Sequence, residues 1–357
     1  MTIAFGLFDN LQIDPAETRT AGEVLEQRLD DLAYADSLGM WGYFTAERHF
    51  WKAYRSVAPS AWIAAASQRA RSMRLGVLAY TLPLHSPALL AEEIAFLDTL
   101  SGGRFELGVG LGHRPVELEQ IGVDPATRIP RFQEEMAILQ GLLSGGTATA
   151  DSDFHHLKEV TLGVLPKQEP HPPIWYAGTE MNAAAWAGAN GHNLAVGFTL
   201  LKHLLPVAVA FRAARAEVEK DPEHPYLEHG GKVALMRHVY LAETDEAATG
   251  EMTEDLYRLN SLDPKVQEGS RANRREDAQD EVKRLLDNEI FIAGGPESVA
   301  RQLRFAHQAL GLDLFLANVY AAGIEPERVR RSMRLLTTDV APRLGEVAVG
   351  EFPDSSR

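Results

Sequence analysis

Eight short apolar runs alternate with amphipathic stretches along this chain, and that alternation restricts the fold more than any other feature. The runs are Ile3–Phe8, Trp41–Thr45, Arg74–Tyr80, Phe105–Gly110, Ile174–Ala177, Asn193–Gly197, Val233–Leu241 and Asp313–Ala317. Several are almost continuously apolar, as strands are when both faces of a parallel sheet are covered by helices. Between them the period changes. Leu25, Leu29 and Leu32 fall at i, i+4, i+7, as do Leu90, Ile94 and Leu97. Phe132, Met136, Leu139 and Leu143 form a longer stripe, as do Val299, Leu303, Ala306 and Leu310, and Val329, Met333, Leu336 and Val340. Each stripe gives a helix one apolar face to lay on a sheet. Ser86-Pro87 and Gly294-Gly295-Pro296 read as helix starts, because proline suits the first helical position.

Alternating strands and helices build either a closed barrel or an open doubly wound sheet. Gly108-Val109-Gly110-Leu111-Gly112 is not a G-x-G-x-x-G loop, and it follows the fourth strand. A dinucleotide fingerprint belongs after the first. The expected fold is therefore α/β: a (β/α)8 TIM barrel, one domain over 1–345, with a tail at 346–357. Two insertions interrupt it. Ser144–Lys167 reads as a surface hairpin before the fifth strand. After the seventh, at about 260–290, the polar stretch Asn260–Glu281 reads as a long loop of the kind that forms lids, with Leu262, Pro264 and Val266 as its apolar residues.

Composition narrows the chemistry. The 357 residues include no cysteine, which removes disulfides, Cys-ligated zinc, iron–sulfur clusters and thiol nucleophiles. The start, Met-Thr-Ile-Ala-Phe-Gly, has no basic segment followed by an apolar run, and no stretch is apolar for about 18 residues. A cytoplasmic protein without a membrane partner is expected. A net charge of −15 opposes nucleic acid as a partner.

In a barrel the site lies at the C-terminal ends of the strands. There the chain places Asp9 and Asn10, then Glu47-Arg48-His49-Phe50, Thr81-Leu82-Pro83, Leu111 to Arg114, Gly178-Thr179-Glu180, Phe198-Thr199, and Asn318 and Tyr320. Glu47, Arg48 and His49 bring an acid, a permanent cation and an imidazole together, suited to holding a charged substrate or moving a proton. Gly178-Thr179-Glu180 opens a helix, whose free amides can hold a phosphate or be capped by Thr179. Arg128 and Arg131 flank the start of the fourth barrel helix, within reach of an anion. His155-His156 are adjacent, so an extended segment points them to opposite faces; no metal site is expected. No G-x-S-x-G elbow supports a Ser/His/Asp triad.

With those residues in view, the chain resembles the bacterial luciferase-like flavin monooxygenases, a family that includes deazaflavin-dependent enzymes. The carriers, from about Ile3 to Leu344, are Phe5-Gly6-Leu7-Phe8-Asp9, Tyr43 to Phe50, Leu75 to Pro87, Leu97 to Gly110, His171 to Gly178 and Phe291 to Glu297, in that order. The resemblance implies a TIM barrel with an insertion after the seventh strand. It implies reduced FMN as co-substrate, or a deazaflavin, delivered by a separate flavin reductase, and a homodimer. Carried over by motif, Arg131, Thr179 and Glu180 neighbour the cofactor phosphate, with Gly178 allowing close backbone approach and Gly110 nearby. Leu78–Ala79 falls where the family has a strand bulge with a cis peptide beneath the flavin ring. Two positions depart from the family pattern. Arg48 stands where the family often has the proton-transferring histidine, and arginine is no ordinary base. Either His49 takes over, or Arg48 binds an anionic substrate or peroxide, or no base is needed. Leu111 stands where the family often has a phosphate-binding arginine, with Arg114, three residues on, as the expected compensation. The implied activity is an FMN-dependent monooxygenase acting on a small organic substrate; the alternatives are a deazaflavin-dependent hydride-transfer enzyme, a flavin-binding protein without turnover and a metal-dependent barrel hydrolase.

Overall fold

The computed structural model of the chain describes residues 3–13, 17, 19–51, 54–112, 114–223, 230–261, 274–287, 289–320 and 324–345, the side chains of 259–261 excepted. Eight parallel strands close into a ring: β1 (Ala4–Asp9), β2 (Gly42–Thr45), β3 (Arg74–Thr81), β4 (Phe105–Gly110), β7 (Ile174–Ala177), β8 (Asn193–Gly197), β9 (Val233–Leu241) and β11 (Leu314–Asn318), which pairs back with β1. These are the eight runs that the apolar pattern marks out. The expected (β/α)8 TIM barrel is the observed fold.

Alternation along each strand divides the core in two. Ala4, Phe8, Phe44, Leu78, Trp175, Ala195, Met236 and Leu316 pack with one another inside the barrel. Phe5, Leu7, Tyr43, Leu75, Leu107, Leu235 and Phe315 join the helix-covered outer core. Side chains of successive strand residues point to opposite faces, so one sequence supplies both layers. At the lower end Glu106 accepts from Trp175 Nε1 (2.5 Å) and pairs with Arg74, so its buried charge is matched.

The outer layer contains α1 (Ala21–Ser37), α2 (Pro59–Arg69), α3 (Pro87–Ser101), α4 (Pro115–Gln120), α5 (Arg128–Leu143), α6 (Met181–Ala189), α7 (Leu201–Val218), α8 (Asp245–Ser261), α9 (Arg275–Asp287), α10 (Pro296–Leu310) and α11 (Pro326–Leu335). Proline opens α3 and α10 where the sequence places those starts. Thr20 caps α1 reciprocally with Glu23, satisfying two backbone donors. None of these helices is long and apolar enough to cross a membrane, among the described residues.

The first insertion is a hairpin, as expected: β5 (Ala148–Asp151) runs antiparallel to β6 (His156–Val160). The second is not simply a loop. Residues 260–261 end α8 and residues 275–281 begin α9, an amphipathic helix that buries Ala278 and Val282. Two buried apolar residues are too few for a visible stripe. A further strand, β10 (Phe291–Gly294), pairs with the last four residues of β9, His238 to Leu241, on the edge that β8 leaves at Met236; β11 ends its pairing with β9 at His238. Leu262, Pro264 and Val266, His113 and the tail 346–357 lie outside the described residues.

Candidate active site

The strand ends enclose a cavity of about 440 Å³, lined by Phe8, Leu78, Met236 and Phe198 on its apolar side and by Arg48, Thr81, Arg128 and Tyr176 on its polar side. A bulge in β3 shapes its floor. Val77 pairs with Leu107 and Tyr80 with Val109, so three steps on β3 match two on β4. The Leu78–Ala79 peptide within it is cis, as the resemblance implies. The extra residue reverses the alternation. Leu78 and Ala79 both line the cavity, while Tyr80 and Leu82 pack into the helix-covered core. Strict alternation from Leu78 would place Tyr80 and Leu82 beside the pocket; the bulge turns them away.

Gly110, Ala177, Gly178 and Gly197 complete a wall of small residues. A Cβ added at Gly110 would come within 3.5 Å of Ala79 Cβ and the Ala177 carbonyl, occupying cavity space. The Gly178 amide donates to the Ala195 carbonyl (3.2 Å), so it serves the sheet. Thr179 and Glu180 lead into α6, whose first turn receives no side-chain cap, leaving its amides to face the cavity end. Burial first, and the Glu180 charge second, push the Tyr176 hydroxyl up to about 12, so it stays a neutral donor.

The Glu47-Arg48-His49 cluster divides between two faces. Arg48 lines the cavity. The Glu47 carboxylate, 2 % exposed, sits behind it. It accepts from the Thr81 amide (2.7 Å), meets His85 Nε2 at 2.8 Å and lies 3.2 Å from His49 Nε2. Burial works to raise its pKa, but hydrogen bonds to His49 and His85, the His85 charge and the Thr81 amide hold it down at about 2. The same hydrogen bond favours the charged form of His49, raising its pKa. Phe50 points outward at 62 % exposure. His85 is the member that sequence reading misses; its place in Leu75 to Pro87 marks it only once the turn after β3 is known.

Arg128 lines the cavity, and its side chain makes no hydrogen bond or ion pair among the described residues. Arg131, one turn further along α5, is not on the cavity wall. Its guanidinium lies 3.7 Å from Glu135 and over the Phe154 ring, within the contact between α5 and the hairpin. Arg114 bonds Glu117 (3.0 Å) and stacks over Trp51 rather than reaching the cavity. Asp9 and Tyr320 turn outward: Arg28 lies 3.7 Å from the Asp9 carboxylate and over the Tyr320 ring. Among the described residues no three acidic or histidine side chains are arranged to hold a metal ion.

The model of the family described as luciferase-like monooxygenase matches residues 3–313. The chain belongs to that family. An uncharacterised protein of Sinorhizobium fredii is 40% identical over 54% of this chain and 56% of its own length, so the chain spans little more than half of that relative. Over longer spans the chain is 25% identical to limonene 1,2-monooxygenase of Rhodococcus erythropolis (90% of this chain, 82% of the relative). It is also 25% identical to the oxygenase component of flavin-dependent trigonelline monooxygenase of Acinetobacter baylyi (97% and 96%). A monooxygenase of Streptomyces bottropensis has the same fold, with a TM-score of 0.81 at 23% identity, covering 95% of this chain and 99% of that one. The oxygenating constituent of 3,6-diketocamphane monooxygenase of Pseudomonas putida, solved with FMN, superposes with a TM-score of 0.76 at 21% identity, covering 96% and 99%. The relatives with named activities are monooxygenases, which supports oxidoreductase chemistry as the general kind.

Proposed function

We propose that the chain is the oxygenase of a two-component, FMN-dependent monooxygenase: it takes reduced FMN from a separate reductase, and molecular oxygen, and inserts one oxygen atom into a small organic substrate. The observation that carries this reading is the cavity itself. Its volume lies in the range of cofactor sites. Its wall of small residues leaves room for a flat ring beside the Leu78–Ala79 bulge, and its polar end offers Arg128 and the uncapped start of α6 to a phosphate. These residues fit FMN. Leu78, Ala79 and Gly110 would hold the ring. Arg128 and the backbone of Thr179 and Glu180 would hold the phosphate, with Gly178 allowing its close approach and Arg131 adding its field from one turn behind; the Glu180 carboxylate itself must point away from it.

When bound, the reduced cofactor supplies the electrons that activate oxygen. The protein's part is to hold, dry and protonate. Phe8, Leu78, Phe198 and Met236 exclude water from the reacting face. His49 keeps a proton on the pair that it forms with Glu47, beside Arg48. Arg48 stays charged and orients. The oxygenase naming of the trigonelline enzyme supports a separate reductase. Leu89, Phe96 and Leu100 form an exposed apolar strip on α3 that supports a homodimer, readable by sedimentation.

The test is a titration with reduced FMN and, separately, a reduced deazaflavin, followed by admission of air. Tight binding of reduced FMN and oxygen consumption support the proposal. Preference for the deazaflavin without oxygen uptake would replace it with hydride transfer.

A further inference from the structure

Two cations line the cavity, and their surroundings differ. Arg128 stands at the β4–β7 side, close enough to Tyr176 and Glu180 to share their field at the start of α6. Arg48 follows β2, three strands away around the ring through β3 and β4 to β7. A single phosphate at the α6 end therefore leaves Arg48 unanswered.

The acids near Arg48 are already engaged. Glu47 gives both its oxygens to Thr81, His85 and His49. Glu117 is bonded to Arg114. Arg48 makes one side-chain hydrogen bond among the described residues, to the Glu47 carbonyl (2.8 Å), and no ion pair. A carbonyl satisfies one N–H and leaves the charge unmatched. The guanidinium carries five donors in a planar fork that fits a carboxylate bidentately. A partly buried cation with no acid bonded to it among the described residues, opening on a cavity, is a site waiting for an anion.

We infer that the substrate is an organic monocarboxylate, held through its carboxylate by Arg48 and through an apolar body by Phe8, Leu78, Phe198 and Met236. This rests on the monooxygenase reading and adds the substrate class to it. A monoanion fits better than a phosphate, because Glu47 and Glu117 stand close to Arg48 and repel a second negative charge. The chain's charge of −15 opposes anions in general, so an anion that binds must be held locally.

Benzoate and benzyl alcohol, similar in shape and different in charge, are the probes. Their binding is measured calorimetrically to the full chain, with and without FMN, in wild type, Arg48→Gln, Arg48→Lys and Arg128→Gln. The glutamine keeps a donor for the Glu47 carbonyl and removes the charge. Wild type is expected to prefer benzoate by at least ~10-fold. The preference should vanish in Arg48→Gln, shrink in Arg48→Lys and persist in Arg128→Gln. An indifferent wild type overturns the inference with no variant needed. So does a preference that survives in Arg48→Gln or disappears only in Arg128→Gln, which would put the anion at the phosphate end. If Arg48→Gln does not fold, a preference undiminished in Arg48→Lys overturns it. FMN affinity is a separate reading: no FMN binding with an Arg48-dependent benzoate preference defeats the flavin proposal and leaves the anion site standing.

Discussion

Gly108 lies directly beneath the Val77 carbonyl: a Cβ added at Gly108 would come within 2.0 Å of that oxygen and 2.7 Å of Leu78 Cδ2. The bulge in β3 exists in its present form because the neighbouring strand has no side chain there. Gly108→Ala must displace the bulge, with an expected loss of about 1–3 kcal/mol or more and weaker FMN binding. Gly110→Ala meets only ordinary contacts at 3.5 Å, so it should melt like wild type and lose FMN affinity alone. Thermal melts beside FMN titrations separate the two. Equal melting of both variants would show that Gly108 is not what makes room for the bulge.

Glu47 predicts the acid limb of stability. A carboxylate held at about 2 stabilises the fold fully above its ordinary value of 4.5, and that contribution is lost as pH falls towards 2. Its size is of order ~3 kcal/mol. His49 belongs to the same pair and acts on the other side: its share is complete below its ordinary value and fades as pH rises through the raised one. Glu47→Gln should therefore be less stable than wild type near neutrality and approach it at pH 3. Urea unfolding at pH 7, 4 and 3 measures the gap, and a gap independent of pH would contradict the ionised assignment.

Glu135 predicts the opposite slope. Burial raises its pKa to about 8 despite the Arg131 charge, and burial also lowers that of His155, 3.2 Å away. A carboxylate that prefers its proton in the folded state loses stability as pH rises from about 4.5 through about 8. Glu135→Gln should match wild type at pH 5 and melt higher at pH 9. A melting difference that does not grow between these two values would mean that Glu135 is ionised when folded.

Arg128 and Arg131 can be told apart by binding. Arg128→Gln should weaken FMN at least ~10-fold, as removal of a charge-assisted hydrogen bond does. Arg131→Gln should leave FMN affinity near that of wild type and lower the melting temperature chiefly above about pH 8, where Glu135 gives up its proton and needs the nearest cation. If Arg131→Gln weakens FMN as strongly as Arg128→Gln, the phosphate is held at Arg131.

What the sequence reveals follows the range of each signal. Strands such as Phe105–Gly110 declare themselves through continuous apolar runs, and helices such as Phe132–Leu143 through their stripes, since both patterns are local. β10 escapes because four residues pairing with one overhanging strand end leave no periodic trace. The pocket is legible as far as strand ends are: Arg48, Leu78, Ala79, Gly110 and Thr179 line it, as their positions suggest. Tyr80 and Leu82 are misplaced by sequence because one inserted residue inverts every later side chain on β3. Arg131 is misplaced relative to the cavity for another reason: its partner Glu135 lies one helical turn on, and the Phe154 ring comes from a hairpin whose docking no local pattern encodes.

β9 continues three residues past its last pairing with β11 at His238, and takes β10 as its neighbour on the edge that β8 leaves at Met236. At about 3.3 Å per residue the overhang reaches roughly 10 Å beyond that partner. There Tyr240 and Ala293 pack with Ala248 and Met252 of α8 and Val282 of α9. The second insertion therefore carries a small core of its own, held out on the overhang and separate from the two layers of the barrel.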